Sequence, residues 1–422
     1  MNNRDTYRFC DDIWQLALDP KPCRFDTPPA DYPHTMSLPG TTAQQQIGEY
    51  NTAREDGFFT EKYPFEGQIW LRKALTLSPQ QAAAPHCFLH LERTRMTRLW
   101  VNGQFIGEEQ SLCTPHVYDL SAQIAETMEI VICVKNFDYP TRGGHMTSPD
   151  TQTNWIGVTG KVYLAFRADT YISDIAAYPD AAKRQVMLRG ILHGDKQVAA
   201  RLSAEVLPYV KESDIAGDVP SAVSLSADDS GAFSVTIPLP KHAPLWSEHD
   251  PVQIALTLAL ENGESALVIF GLRDFRACSD HFEVNGIPTM LRGKHDGLVF
   301  PRTGASPTDI SAWVQVFQIM KKWGINHYRF HTCCPPEAAF YAADTAGIYM
   351  EPELPFWGTL KEAGEAGYDE KANAYLLREG ERILKAFGHH PSFIMLSLGN
   401  ELWGSKDIMN SIIQDLVNNR NS

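Results

Sequence analysis

The chain has 422 residues, 43% of them apolar and 21% charged, with a net charge of −14. That length allows about three domains. An acidic chain with no basic stripe is a poor binder of phosphate backbones, and no apolar run is long enough to span a bilayer, so nucleic acid and membrane are excluded as partners. The first twenty residues, MNNRDTYRFCDDIWQLALDP, contain no continuous apolar segment of the signal-peptide kind. A cytoplasmic location is therefore expected, with a periplasmic or secreted one left open if a leader is missing.

Residues 1 to about 167 read as all-β. QIWLRKALTL, CFLHLER, TRLWVNGQFIG, MEIVICVKN and GKVYLAF are short runs separated by turn residues, the pattern of a sandwich or jelly roll. Asn102-Gly103 predicts a two-residue hairpin turn, because both residues tolerate positive φ. Residues 168 to 274 read as a second, smaller β unit. Its expected strands include RQVMLRGILH, ARLSAEVLP, GAFSVTIPLP and VQIALTLAL, with the turn-rich SADDSGA between two of them. About a hundred residues with seven or so short strands suit an immunoglobulin-like sandwich.

From residue 275 to 422 strands alternate with helices. TMLRGKHD reads as a first strand. Thr308 then caps a helix whose apolar positions Ile310, Trp313, Val314, Phe317 and Met320 follow the 3.6-residue period. INHYRFH, IYMEPEL and FIMLSLGNE read as strands two to four, separated by PEAAFYAADTA and AYLLREGERILKAF as helices. Ser405 caps a last helix with Ile408, Met409, Ile412, Ile413 and Leu416 on one face. Such units build a parallel sheet, open or closed.

Polar groups gather at the predicted strand ends: Lys294, His295 and Asp296, then Arg329 and His331, Glu351 and Glu353, and Asn400 and Glu401. In a β/α barrel those ends line the active site. A carboxylate there can serve as general acid or base, and an adjacent amide can bind a hydroxyl. Trp357 and Trp403 offer flat faces of the kind that stack on a sugar ring. Carboxylate, amide and aromatic together suit glycoside cleavage. His389 and His390 fall at the opposite end of strand four and read as structural. The eight cysteines form no C-x-x-C pair, so zinc-ribbon spacing is absent, and a metal role for Cys333 and Cys334 beside His331 is weak. The chain also lacks a G-x-S-x-G elbow and an H-E-x-x-H pair.

These segments resemble glycoside hydrolase family 2, the β-galactosidase, β-glucuronidase and β-mannosidase group. HHPSFIMLSLGNE resembles the segment carrying that family's acid/base carboxylate, and FEVNGIPTMLRGKHD its approach to the barrel. MKKWGINHYRFH and AADTAGIYMEPE resemble its second and third barrel strands. IWLRKALTL and LWVNGQFIGEEQSLCTPHVYDLS resemble its N-terminal sugar-binding jelly roll, and FGLRDF the junction after its immunoglobulin-like domain.

The resemblance implies a jelly roll, an immunoglobulin-like sandwich and the first half of an eight-stranded TIM barrel. It implies a retaining β-glycosidase with Glu401 as acid/base and Asn400 on the 2-hydroxyl of the sugar. Arg329, Glu353, His331, His295, Asp296 and Trp403 would line the substrate pocket. RFHTCC and RGKHDG depart from the family's usual spacing. A β-galactoside is the first expectation and a β-glucuronide the second. A magnesium or sodium ion is implied for some members, with no ligands assignable here. The family's nucleophile lies on a later strand with no matching position, so the chain is expected to be inactive alone and to associate through open sheet edges. A non-catalytic carbohydrate-binding or scaffold protein is the alternative.

Overall fold

A computed structural model of the chain describes residues 6–51, 62–148, 153–208 and 214–421. Most of it is sheet. The first domain holds a four-stranded and a six-stranded antiparallel sheet. Inward residues of both, Trp14, Leu71, Leu89, Leu99, Ile132 and Leu164, share one core. The hairpin joining Met96–Val101 to Gln104–Glu109 turns at Asn102 (φ 50°) and Gly103 (φ 78°), as its sequence predicts. The second domain packs a three-stranded sheet against a four-stranded one. Its long strands, Gln185–His193 and Gln197–Leu207, alternate buried and exposed positions, so one face of each supplies the core.

The third domain begins with a small antiparallel meander, Phe275–Ala277, Phe282–Val284 and Ile287–Thr289. TMLRGKHD is therefore not one strand. Thr289 ends the meander, and the first barrel strand is Gly293–Asp296. It pairs in parallel with His327–Phe330, which pairs with Tyr349–Glu351. FIMLSLGNE also departs from expectation. It joins strand three only through parallel bridges, Met350 to Phe393 and Glu353 to Ser397. Gly399, at φ 133°, then turns the chain, because a Cβ there would lie 2.2 Å from the Phe356 carbonyl. Asn400–Gly404 continues as a separate strand beside Trp357–Leu360.

The helices follow their apolar periods. Asp309, not Thr308, caps Ile310–Lys322: its carboxylate accepts from the Ala312 N–H, whereas the Thr308 hydroxyl donates to the Thr159 carbonyl. Trp313 and Phe317 on this helix are fully buried, each stabilising the fold by about 1.5–3 kcal/mol, while Ile310 remains exposed. Glu337–Ala346 ends at Gly347 (φ 69°), where a side chain would strike the Glu248 carbonyl. Glu370–Phe387 and Lys406–Asn421 complete the layer, with Ser405 accepting from the Ile408 N–H. Ile412 and Leu416 are buried and Ile413 is exposed. Among the described residues no helix is long and apolar enough to cross a membrane.

The first domain reaches into the third. Leu112, Cys113 and Met146 belong to the same core as Tyr328, Phe330 and Met350. Arg93 donates to the carbonyls of both Cys113 and Cys334. The Thr141 hydroxyl donates to the Pro355 carbonyl at 2.6 Å, and the Trp357 N–H donates to the Arg142 carbonyl at 3.2 Å. Residues 141–147 thus lie over the ends of the barrel strands.

Candidate active site

The strand ends bring most of the predicted residues together. Arg329 is the centre. Its Nη2 lies 2.5 Å from Glu353 Oε1 and donates to Asn400 Oδ1 at 2.9 Å. The carboxylate contact is a close ion pair. The second oxygen of Glu353 accepts the Thr332 N–H at 2.7 Å. Glu353 is fully buried. Burial pushes its carboxyl pKa up, against the Thr332 hydrogen bond and the Arg329 charge that pull it down. Glu351, two residues earlier on the same face, instead contacts His327 Nε2 at 3.2 Å inside the sheet, a structural role.

Asn400 and Glu401 are neighbours with opposite fates. Successive strand side chains alternate faces. Asn400 is buried against Arg329, while Glu401 is exposed and accepts from Trp357 Nε1 at 3.1 Å. Glu401 has φ 44°, a left-handed conformation unusual for a residue with a side chain. Strain of this kind collects at functional sites. Trp403 is 70% exposed on the same rim. Asp296 is engaged by Lys294 at 2.7 Å and by the Leu298 N–H at 2.8 Å, so it shapes the turn after strand one.

His331 and His295 meet at the mouth with a third imidazole that sequence reading missed, His145 from the first domain. Ring centroids are 4.6 Å apart for His145–His331 and 4.8 Å for His295–His331. Trp357 lies edge-on to His331 at 5.2 Å. The His145 N–H donates to the Thr332 hydroxyl. The signal available in the sequence was the Gly143-Gly144 pair before His145. A Cβ at Gly143 would lie 2.1 Å from the Trp357 carbonyl, so only glycine lets this loop come so close. His331 has a lowered pKa because it is buried and faces His295 and Arg329. Magnesium and sodium prefer oxygen donors; three imidazoles do not fit them.

His389 and His390 lie at the other end, as their position predicts. His390 Nδ1 is 2.6 Å from Asp344 Oδ2, and both are buried. Burial brings the His389 pKa down to about 3. A separate cavity of about 840 Å3 opens at the seam of the two β domains, lined by Phe88, His90, Tyr171 and Glu264. Glu264 is held there by Arg167 at 3.1 Å, so the chemistry points to the barrel mouth instead.

A buried Arg–Glu–Asn network beside an exposed carboxylate and two tryptophans is an arrangement that suits a glycoside hydrolase. Residues 276–420 match the family model described as "Glycosyl hydrolases family 2, TIM barrel domain". That match covers the third domain, and with the relatives below it supports glycoside hydrolase family 2. It is 23% identical to the "Beta-galactosidase large subunit" of Lactobacillus acidophilus over 97% of its own length and 70% of that protein's. It is 24% identical to the "Beta-galactosidase" of Halalkalibacterium halodurans over 74% of its own length and 31% of that protein's. The alignments thus span from under a third to 70% of these relatives. In structure it resembles the β-glucuronidase of Bifidobacterium dentium complexed with coumarin-3-O-glucuronide, with a TM-score of 0.75 and 16% identity. That match covers 97% of this chain and 72% of the other, and it speaks to the fold.

Proposed function

We propose that this chain provides the acid/base half of a retaining exo-β-glycosidase acting on terminal β-linked sugars, with a β-galactoside as substrate. The observation that carries this reading is Glu401, held in a strained, exposed conformation beside Trp357, with Asn400 fixed by Arg329 one residue away. Glu401 protonates the leaving glycosidic oxygen and later takes a proton from water. Asn400 receives the 2-hydroxyl, oriented by the Arg329 bond. Trp403 and Trp357 stack on sugar. Glu353 sets Arg329 and does not act as nucleophile, because both its oxygens are engaged and it is buried. The two β domains serve as a jelly roll and an immunoglobulin-like sandwich that support the mouth.

A neutral sugar is favoured over a uronic acid because the two cations at the strand ends are already paired, Arg329 with Glu353 and Lys294 with Asp296. The other strand-end carboxylates, Asp296, Glu351 and Glu353, are each engaged by a cation or an imidazole, so none of them is assigned as nucleophile. On this reading the 422-residue protein by itself is inactive on glycosides. Sequencing the source DNA past the codon for Ser422 tests this. A continuing frame with four more strand–helix units and a Glu at a late strand end supports it. Turnover of a nitrophenyl β-galactoside by the pure 422-residue protein, abolished by Glu401→Gln, overturns the claim that it is inactive by itself. A complete frame whose product binds but never cleaves galactosides would favour the carbohydrate-binding alternative.

A further inference from the structure

We propose that His145, His295 and His331 form a binding site for a borderline divalent cation, zinc in the first instance, at the mouth of the barrel. Each residue offers a ring nitrogen, and these nitrogens lie within 4.8 Å of one another. Tetrahedral zinc with bonds of about 2.0–2.1 Å needs nitrogens about 3.3 Å apart. Small side-chain rotations close that difference. Three imidazoles leave one coordination position for water or a substrate oxygen, as in catalytic zinc sites. The donors come from three separate elements: the first-domain loop, the end of strand one and the turn after strand two. Nothing in local sequence would bring them together by chance of spacing.

The site is held in place. The His145 backbone is tied to Thr332, and its loop is fastened by Thr141 to Pro355 and by Arg142 to Trp357. Gly297 lies directly against the ring: a Cβ there would be 2.7 Å from His145 Cε1 and Nδ1. His331 is buried, packed between the rings of His145 and His295. An anion is the other ligand three histidines could take. The nearby guanidinium of Arg329 is committed to Glu353 and is not free to hold one. Imidazole is a good donor for zinc and a poor one for magnesium.

Zinc titration of the full 422-residue chain, followed by calorimetry, tests the proposal without any glycoside. Cys278, His281 and Glu283 on the exposed meander form a second group of donors, so the titration is done in a Cys278→Ser, His281→Ala background. One zinc per chain is expected there. His145→Ala and His295→Ala should each weaken it at least tenfold, and Gly297→Ala should weaken it by displacing His145. His295 is exposed, so its replacement leaves the fold intact, checked by circular dichroism. Cobalt should give d–d bands without a thiolate charge-transfer band. Absence of zinc binding in that background, or binding unchanged by both histidine substitutions, overturns the proposal. Either result leaves the glycosidase reading where it stands, because no step of that reading uses the metal.

Discussion

Two buried polar networks of the third domain use similar groups to different ends. At the frame, Glu379 is fully buried and its Oε1 accepts from the Ser111 hydroxyl and from the N–H groups of Leu112 and Cys113. It fastens the first domain to the longest barrel helix. Nearby, Asp344 holds His390 and the Ser392 N–H. At the mouth, Glu353 is equally buried, but its partner Arg329 has a side chain 35% exposed, and the network continues through Asn400 to the exposed Glu401. Burial raises the pKa of both glutamates. A perturbed carboxylate therefore does not by itself mark a catalytic site. Each glutamate also faces a partly exposed arginine, Arg382 at 3.9 Å from Glu379 and Arg329 at 2.5 Å from Glu353; what separates the two is that Glu379 is taken up by first-domain donors, whereas the mouth network leads through Asn400 to the exposed carboxylate of Glu401.

The sharpest way to break this comparison is Glu379→Ala. It leaves the buried Leu112 N–H without its acceptor, at roughly 1–3 kcal/mol, and takes one bond each from Ser111 and Cys113, which keep Thr114 Oγ1 and Ser111 Oγ as partners. A loss of roughly 2 kcal/mol is expected in chemical denaturation, with the first domain loosened from the third. An effect under 1 kcal/mol would show that Glu379 is not the fastening we describe.

Next in size is an acid-side effect at the frame. The folded pKa of His389 is depressed to about 3 from an ordinary 6.5. Its neutral form therefore contributes stability that is fully present above pH 6.5 and is lost as the pH falls towards 3, at about 1.4 kcal/mol per unit at most. Glu353 and Glu379, both raised, act in the opposite sense: their contribution is present below the ordinary carboxylate value and is lost as the pH rises through the folded pKa. Denaturation midpoints measured from pH 7 to 4 should fall less steeply in His389→Asn than in the parent. An unchanged slope would remove His389 from this account.

At the mouth, Glu353→Gln keeps the Thr332 hydrogen bond and removes the charge facing Arg329. Because Arg329 reaches solvent, the expected cost is only roughly 1–2 kcal/mol. The smallest effect has the opposite sign. Glu401→Gly relieves the positive φ and should raise stability by up to about 1 kcal/mol. Under the proposed function, Glu401→Gln should lower nitrophenyl galactoside turnover by a glycosidase containing this chain at least about a hundredfold. A destabilised Glu401→Gly would mean that this conformation is not strained.

The sequence determined the elements whose signals are local. Strand alternation in Gln185–His193, the Asn102-Gly103 turn, the apolar period around Trp313 and Phe317, and the glycine stop at Gly347 depend on a few adjacent residues. It also placed Arg329 near the end of strand two and Glu353 just past strand three, because chain direction fixes where a strand's last side chains fall; Asn400 and Glu401, expected to end strand four, instead open the strand Asn400–Gly404. Tertiary structure decided the rest. That FIMLSLGN makes only two bridges depends on which strands flank it. Which oxygen of Glu353 meets Arg329, and that Glu379 rather than Glu353 carries the domain joint, depend on contacts between residues far apart in the chain. The third histidine was hidden for the same reason: His145 comes 150 residues before His295 and reaches it only when one domain closes over another, a proximity that no local pattern encodes.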